Sequence, residues 1–208
     1  MKKVVDDPYI WQVENSLPDE FCDKLVKRFE EDPENRKYKG VVGNGVPDPE
    51  IKETFDLLVD PSSDIWKDDD EFLCNKLNDC INEYVIRIRE IIPNVDFHNG
   101  IEELNDSGYH IQRYEPNKGF YDWHNDFSFS VGKGSRILTF IWYLNTVEKG
   151  GETEFTNGLT IKAEKGKLVM FPATWTYTHR GRMPYSSEKY ILTGWVYNGW
   201  YTNDRMLG

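Results

Sequence analysis

Cysteine is scarce in this 208-residue chain: Cys22, Cys74 and Cys80 are the whole set. An odd, sparse set with no CxxC pair offers neither a disulfide framework nor a zinc knuckle, and it suits a reducing, cytoplasmic setting. Histidine is limited to His98, His110, His124 and His179, so imidazole chemistry has few candidates. No apolar run approaches the ~20 residues that cross a bilayer. The N-terminal MKKVVDDPYI lacks the apolar stretch of a signal peptide, so no membrane association is expected. Positive charge is in deficit, with 25 Lys and Arg against 36 Asp and Glu and a net charge of −11. An acidic surface repels phosphate, which argues against nucleic-acid or anionic-membrane partners. There is no internal repeat, no low-complexity tract and no linker rich in Gly, Ser or Pro. One domain spanning 1–208 is expected.

What is present divides near residue 105 by period. Ile10–Val13 suits a short strand. Ser16, Pro18, Asp19 and Glu20 signal a helix start, and Phe21, Leu25, Val26 and Phe29 recur at helical spacing, so the pattern predicts a helix over Pro18–Glu31. The Pro- and Gly-rich stretch 32–50 reads as a mobile loop. After Asp68, Asp69 and Asp70, a stripe of Leu73, Leu77, Cys80, Ile81, Tyr84, Val85 and Ile88 predicts a second helix, stopped by Pro93. Beyond it, Tyr109–Tyr114, Arg136–Leu144, Leu159–Lys162, Lys167–Phe171 and Lys189–Tyr197 are short β-branched or aromatic runs. Close-set strands without intervening helices indicate an antiparallel barrel or sandwich. The expected class is α+β: a helical buttress with loops over about 1–105 supporting a jelly-roll core over about 106–208.

Three segments carry chemistry. His124 and Asp126 are two positions apart, which in an extended segment puts an imidazole and a carboxylate on one face. His179 follows a core strand, and two histidines with one carboxylate form the facial triad of non-haem Fe(II) oxygenases, which leaves coordination positions open. On the strand Lys189–Tyr197, Lys189, Ile191, Thr193 and Trp195 share a face. A lysine there makes sense if it awaits a carboxylate that the protein does not supply; otherwise that face is exposed and Tyr190 and Leu192 face the core. Other features read blandly. Gly150-Gly151 is a strand turn, the Asp68–Glu71 cluster a helix start, Cys80 a packing residue, His98 solvated, and His110 and Gln112 strand-surface or supporting polar groups.

Taken in order, Gln112-Arg-Tyr114, His124-x-Asp126, Arg136 to Asn145, Gly150 to Phe155, Gly166 to Phe171, His179 and Lys189 to Trp195 resemble the Fe(II)- and 2-oxoglutarate-dependent dioxygenases, prolyl 4-hydroxylase-like branch. The resemblance covers roughly 109–197 and implies a double-stranded β-helix. It implies Fe(II) held by His124, Asp126 and His179, and 2-oxoglutarate and O2 as cosubstrates, with ascorbate as reductant. By the same resemblance, Lys189 and Tyr143 bind the distal carboxylate of 2-oxoglutarate, Thr193 lines that pocket, and Tyr114 sits near the iron-chelating end. The oxygen-sensing prolyl hydroxylases have Arg where Lys189 stands, and collagen-type enzymes use Lys. A lysine is a point charge rather than a bidentate fork, so hydroxyl partners gain weight.

The resemblance implies hydroxylation of a prolyl residue in a peptide or protein. Trp195 is expected as an aromatic wall for the pyrrolidine ring, with Arg136 and Trp123 holding the peptide near the metal and 32–50 as a lid. Arg136 alternates onto the opposite strand face from Tyr143 unless a bulge intervenes. Two other readings are a hydroxylase of a free amino acid or other small molecule, and a non-catalytic metal-binding jelly roll. The last has little reason to keep an interior Lys189. A nucleobase demethylase is disfavoured by the net charge and by Arg180 and Arg182 lying too close to His179. The sequence leaves the oligomeric state open.

Overall fold

A computed structural model describes residues 6–33, 36–43, 45–97, 104–130 and 134–199. In chain order the elements are β1 (Trp11–Val13), α1 (Asp19–Glu31), β2 (Tyr38–Lys39), β3 (Lys52–Glu53), β4 (Phe55–Leu58), α2 (Lys67–Ile91), β5 (Asn105–Asp106), β6 (His110–Tyr114), β7 (Phe120–His124), β8 (Phe129–Ser130), β9 (Gly134–Tyr143), β10 (Thr153–Phe155), β11 (Thr160–Ile161), β12 (Leu168–Pro172), β13 (His179–Gly181) and β14 (Lys189–Tyr197).

Both helices form where their apolar residues recur on one side. In α1 the buried residues are Cys22, Leu25 and Phe29. In α2 they include Leu73, Leu77, Cys80, Tyr84 and Ile88, and the helix ends two residues before Pro93. Asp69, in the first turn of α2, is 1% exposed and pairs with Lys24 and Arg28 of α1, so this acid pins one helix to the other. Ser16 does not cap α1. Pro18 holds that position without a side-chain cap bond, and the Ser16 hydroxyl instead accepts the Trp142 indole N–H at 3.0 Å.

The strands make two sheets. The larger runs β1-β12-β9-β14-β6-β4-β2, with β5 also on β14 and β8 also on β9; the smaller runs β11-β10-β13-β7-β3. Among the described residues the strand pairings are antiparallel, and β14 lies between β9 and β6. Alternation along β9 and β14 sorts the core into two layers. Phe140, Trp142, Tyr190, Leu192 and Val196 join Leu25, Phe29, Leu77 and Tyr84 on the helical side. Ile141, Tyr143 and Ile191 join Phe155 and Ile161 between the sheets. Both faces of β14 are therefore buried, which removes the reading in which Lys189 faces solvent.

The N-terminal half is more than helices and loops. β2 and β4 extend the larger sheet beside β6, and β3 adds to the smaller sheet beside β7. The stretch expected as a mobile loop contains β2 and a Val41–Pro47 bridge. These strands are too short, and too rich in charged residues such as Lys52 and Asp56, to register as periodic. The described helices include none long and apolar enough to cross a membrane. His98 lies outside the described residues.

Close approach at β14 depends on Gly194. A Cβ there would stand 2.5 Å from both the Gly108 carbonyl oxygen and the Phe140 ring. Gly194→Ala is expected to lose about 1–3 kcal/mol by overpacking, a fall of roughly 2–12 °C in a thermal melt. An unchanged Tm would show that the neighbouring chain can back away without cost.

Candidate active site

Three side chains converge between the sheets. His124 ends β7, Asp126 follows two residues later, and His179 opens β13 directly opposite His124 in the ladder. Nε2 of His124 lies 3.9 Å from Asp126 Oδ1, and Nε2 of His179 lies 3.7 Å from Asp126 Oδ2. One ligand atom from each residue falls within 4.8 Å of the others. Each Nδ1 faces a backbone carbonyl two residues upstream, Asp122 at 2.7 Å and Tyr177 at 3.0 Å. A carbonyl only accepts, so each Nδ1 carries the proton and each Nε2 presents a lone pair towards Asp126. Thr139 donates to Asp126 Oδ2 at 2.7 Å and fixes the carboxylate plane. Two imidazole nitrogens and one carboxylate, with one oxygen still unbonded, fit a divalent first-row metal with open positions.

Electrostatics favour the ligating forms. Burial, then the neighbouring His179, pushes the His124 imidazole well below its ordinary value and keeps it neutral. Burial works to raise the Asp126 carboxyl, but the two imidazoles, the Thr139 hydroxyl and Arg136 outweigh it, so the group titrates below its ordinary value. Tyr121 stacks on His124 with centroids 3.4 Å apart.

In the same cavity stands Lys189, 1% exposed. No carboxylate among the described residues pairs with it. Its Nζ lies 4.7 Å from the Tyr114 ring centroid and 5.6 Å from that of Tyr143. Burial lowers its pKa from 10.5 to about 7, with the Glu152 carboxylate opposing the shift. A buried ammonium without a counter-ion beside a metal-type triad is a receptor for an anionic ligand that also reaches the metal. Tyr143 directs its hydroxyl at Thr153 (2.6 Å), and Thr193 donates to the Phe140 carbonyl (2.8 Å).

Most of the residues expected at the site meet here: Tyr114, Thr193 and Trp195 line the cavity with the triad and Lys189. Arg136 comes to its edge, on Trp195, through a bulge. Val196 pairs with Leu138 but Tyr197 with Arg136, so Ile137 is an extra residue in β9. The shift turns Arg136 to the cavity side, its guanidinium 3.6 Å above the Trp195 ring and bonded to the Tyr197 hydroxyl. Trp123 does not line the cavity and sits 39% exposed under the Arg180 guanidinium. Its neighbour His124 takes the inward face of β7, leaving Trp123 outward. Thr139, Thr153, Tyr121 and Gln112 were not singled out for the cavity. Thr139 was accessible, since it shares strand parity with Tyr143.

Lys189→Met isolates the cost of this receptor. The folded value of about 7 lies below the ordinary 10.5, so between these values the unfolded chain holds more protons and stability falls as pH drops. The variant is expected to melt above wild type at about pH 6, with the difference shrinking towards about pH 10. A pH-independent difference would show that the ammonium is not confined.

The smaller sheet apart from β3, and the centre of the larger one, are also where similarity to a known family falls. Residues 109–197 match the profile of the 2OG-Fe(II) oxygenase superfamily. No curated protein matches the chain. Among solved structures, a viral collagen prolyl hydroxylase from Paramecium Bursaria Chlorella virus-1, in complex with 2OG, is 20% identical with a TM-score of 0.63, over 91% of this chain and 96% of that one. A Trichoplax adhaerens prolyl hydroxylase bound to a hypoxia inducible factor peptide fragment is 14% identical with a TM-score of 0.69, over 92% and 84%. A Pseudomonas putida prolyl-4-hydroxylase is 20% identical with a TM-score of 0.61, over 90% and 91%. These likenesses establish the shared fold. Residues 109–197, the stretch similar to the 2OG-Fe(II) oxygenase superfamily, supply every member of the triad and Lys189.

Proposed function

We propose that the protein is a prolyl hydroxylase acting on a peptide or protein chain, with Fe(II), 2-oxoglutarate and O2, in one domain built on a double-stranded β-helix. The observation that carries this reading is the sharing of one cavity by the His124–Asp126–His179 set and the unpaired Lys189 ammonium. With metal, 2-oxoglutarate and O2 bound, such a site supplies the oxidising power to hydroxylate an unactivated C–H bond, and ascorbate serves as reductant.

The chain's own residues do the holding. His124 and His179 offer Nε2 to the metal, and Thr139 keeps Asp126 turned towards it. Lys189 receives the far carboxylate, and the Thr153 hydroxyl, which accepts from Tyr143, keeps its own proton to donate beside a cation that cannot itself form a bidentate fork. Tyr114 and Thr193 complete the walls. Closure between two sheets keeps bulk water from the reacting centre. Trp195, braced by Arg136, forms a flat aromatic wall suited to a pyrrolidine ring. The names of the three similar structures support proline as the target.

The test is mass spectrometry of proline-containing peptides after incubation with Fe(II), 2-oxoglutarate and ascorbate. A one-oxygen gain on proline is expected. His124→Ala, Asp126→Ala and His179→Ala should abolish it together with Mn(II) binding. Lys189→Ala should raise the KM for 2-oxoglutarate roughly 10- to 150-fold, the loss of a charge-assisted hydrogen bond. Turnover of free proline or another amino acid, with no gain on any peptide, would move the assignment to a small-molecule hydroxylase. Retained metal binding in all three variants would overturn the ligand set.

A further inference from the structure

Behind the cavity wall lies a buried polar chain that begins outside the region matched to the oxygenase family. Lys52 on β3 and Asp56 on β4 are 5% and 3% exposed. Asp56 Oδ2 accepts from Lys52 Nζ at 2.7 Å and from Gln112 Nε2 at 3.2 Å, while Oδ1 accepts from the Thr54 hydroxyl at 2.7 Å. Gln112 Oε1 in turn accepts from the Tyr114 hydroxyl at 3.1 Å.

The order of donors along this chain is forced. An ionised carboxylate paired with an ammonium only accepts, so the amide nitrogen of Gln112 must face Asp56 and its carbonyl must face Tyr114. A phenol has one proton, and that of Tyr114 is committed to Gln112. The Tyr114 ring is thereby held with its face towards the Lys189 ammonium. Gly181 leaves this space open: a Cβ there would lie 3.6 Å from the Tyr114 hydroxyl and 3.8 Å from Lys189 Nζ. Ring and ammonium border one volume, and the ring's position is set by a carboxylate that touches neither metal ligands nor Lys189.

We propose that Asp56 and Gln112 are positioning residues for the 2-oxo-acid site, acting through Tyr114 on the Lys189 receptor. Buried polar chains of this kind rigidify when fully satisfied, and here each member has its partner. The inference rests on the dioxygenase reading and assigns a role in it to β3 and β4. A simpler role, in which the Lys52–Asp56 pair only ties these two strands together, makes a different prediction.

A double-mutant cycle separates the two. The probe is 2-oxoglutarate titrated calorimetrically into the Mn(II)-loaded protein without O2, for wild type, Asp56→Asn, Tyr114→Phe and the double variant. An asparagine leaves Lys52 and Gln112 one neutral carbonyl to share, so the acceptor that holds Gln112, and through it Tyr114, is weakened. Asp56→Asn is expected to weaken 2-oxoglutarate binding roughly three- to tenfold, the loss of one hydrogen bond. It should have no further effect in the Tyr114→Phe background, and Mn(II) affinity should stay within about twofold. Penalties that multiply, or an Asp56→Asn variant that binds like wild type, would overturn the proposal while leaving the dioxygenase reading intact. If Asp56→Asn does not melt cooperatively, Gln112→Leu carries the same cycle, because it leaves Asp56 paired with Lys52. Absence of 2-oxoglutarate binding to the wild-type protein would overturn the dioxygenase reading itself, and this inference with it.

Discussion

The Lys189 ammonium, out of water and without a counter-charge, is the constraint on which the rest of the site depends. It stands on β14, whose two faces are covered by the helices and by the smaller sheet. A one-residue slip of that strand would turn the charge to the helical side and leave the cavity without it. The register of β14 against β9 and β6 is therefore also the register of the receptor. Burying such a group costs several kcal/mol, and the fold tolerates it through two aromatic faces and the cavity beside it. A carboxylate ligand recovers that energy when it binds, so the same group that weakens the empty protein provides affinity.

Much of this was legible before any coordinates. Lys189–Tyr197 stands as one strand with the ends read from the sequence, because aromatic and β-branched residues recur along it on both sides of Gly194. The triad was legible from residue type and order alone. What was not legible were groups whose role comes from long-range pairing. Asp56 and Lys52 are charged residues on strands of four and two residues, and nothing local marks them as buried. Gln112 reads as an ordinary strand polar group until Asp56 is seen beside it. Ser16 has the composition of a helix cap and is instead claimed by Trp142, 126 positions away.

Bulges account for the remaining surprises. Ile137 reverses the parity of Arg136 relative to Tyr143 and brings its guanidinium onto Trp195 at the edge of the cavity. A second shift, between His179 and Gly181, pairs His124 with His179 but Tyr121 with Gly181, and so lets Tyr121 stack on a histidine three residues away. Strict alternation would have put these two rings on opposite faces. Both irregularities flank the triad, where an extra residue re-aims side chains without changing the sheet order. Sequence periodicity carries no signal for either.

The cavity draws its walls from both sheets, with the histidines on β7 and β13 and the lysine on β14. A single small molecule held at both ends therefore acts as a rivet between layers that otherwise meet through side-chain packing. Ligand bound only by the folded state adds RT ln(1 + [L]/Kd) to its stability. Resistance to proteolysis should then rise with the concentration of any ligand that spans the cavity.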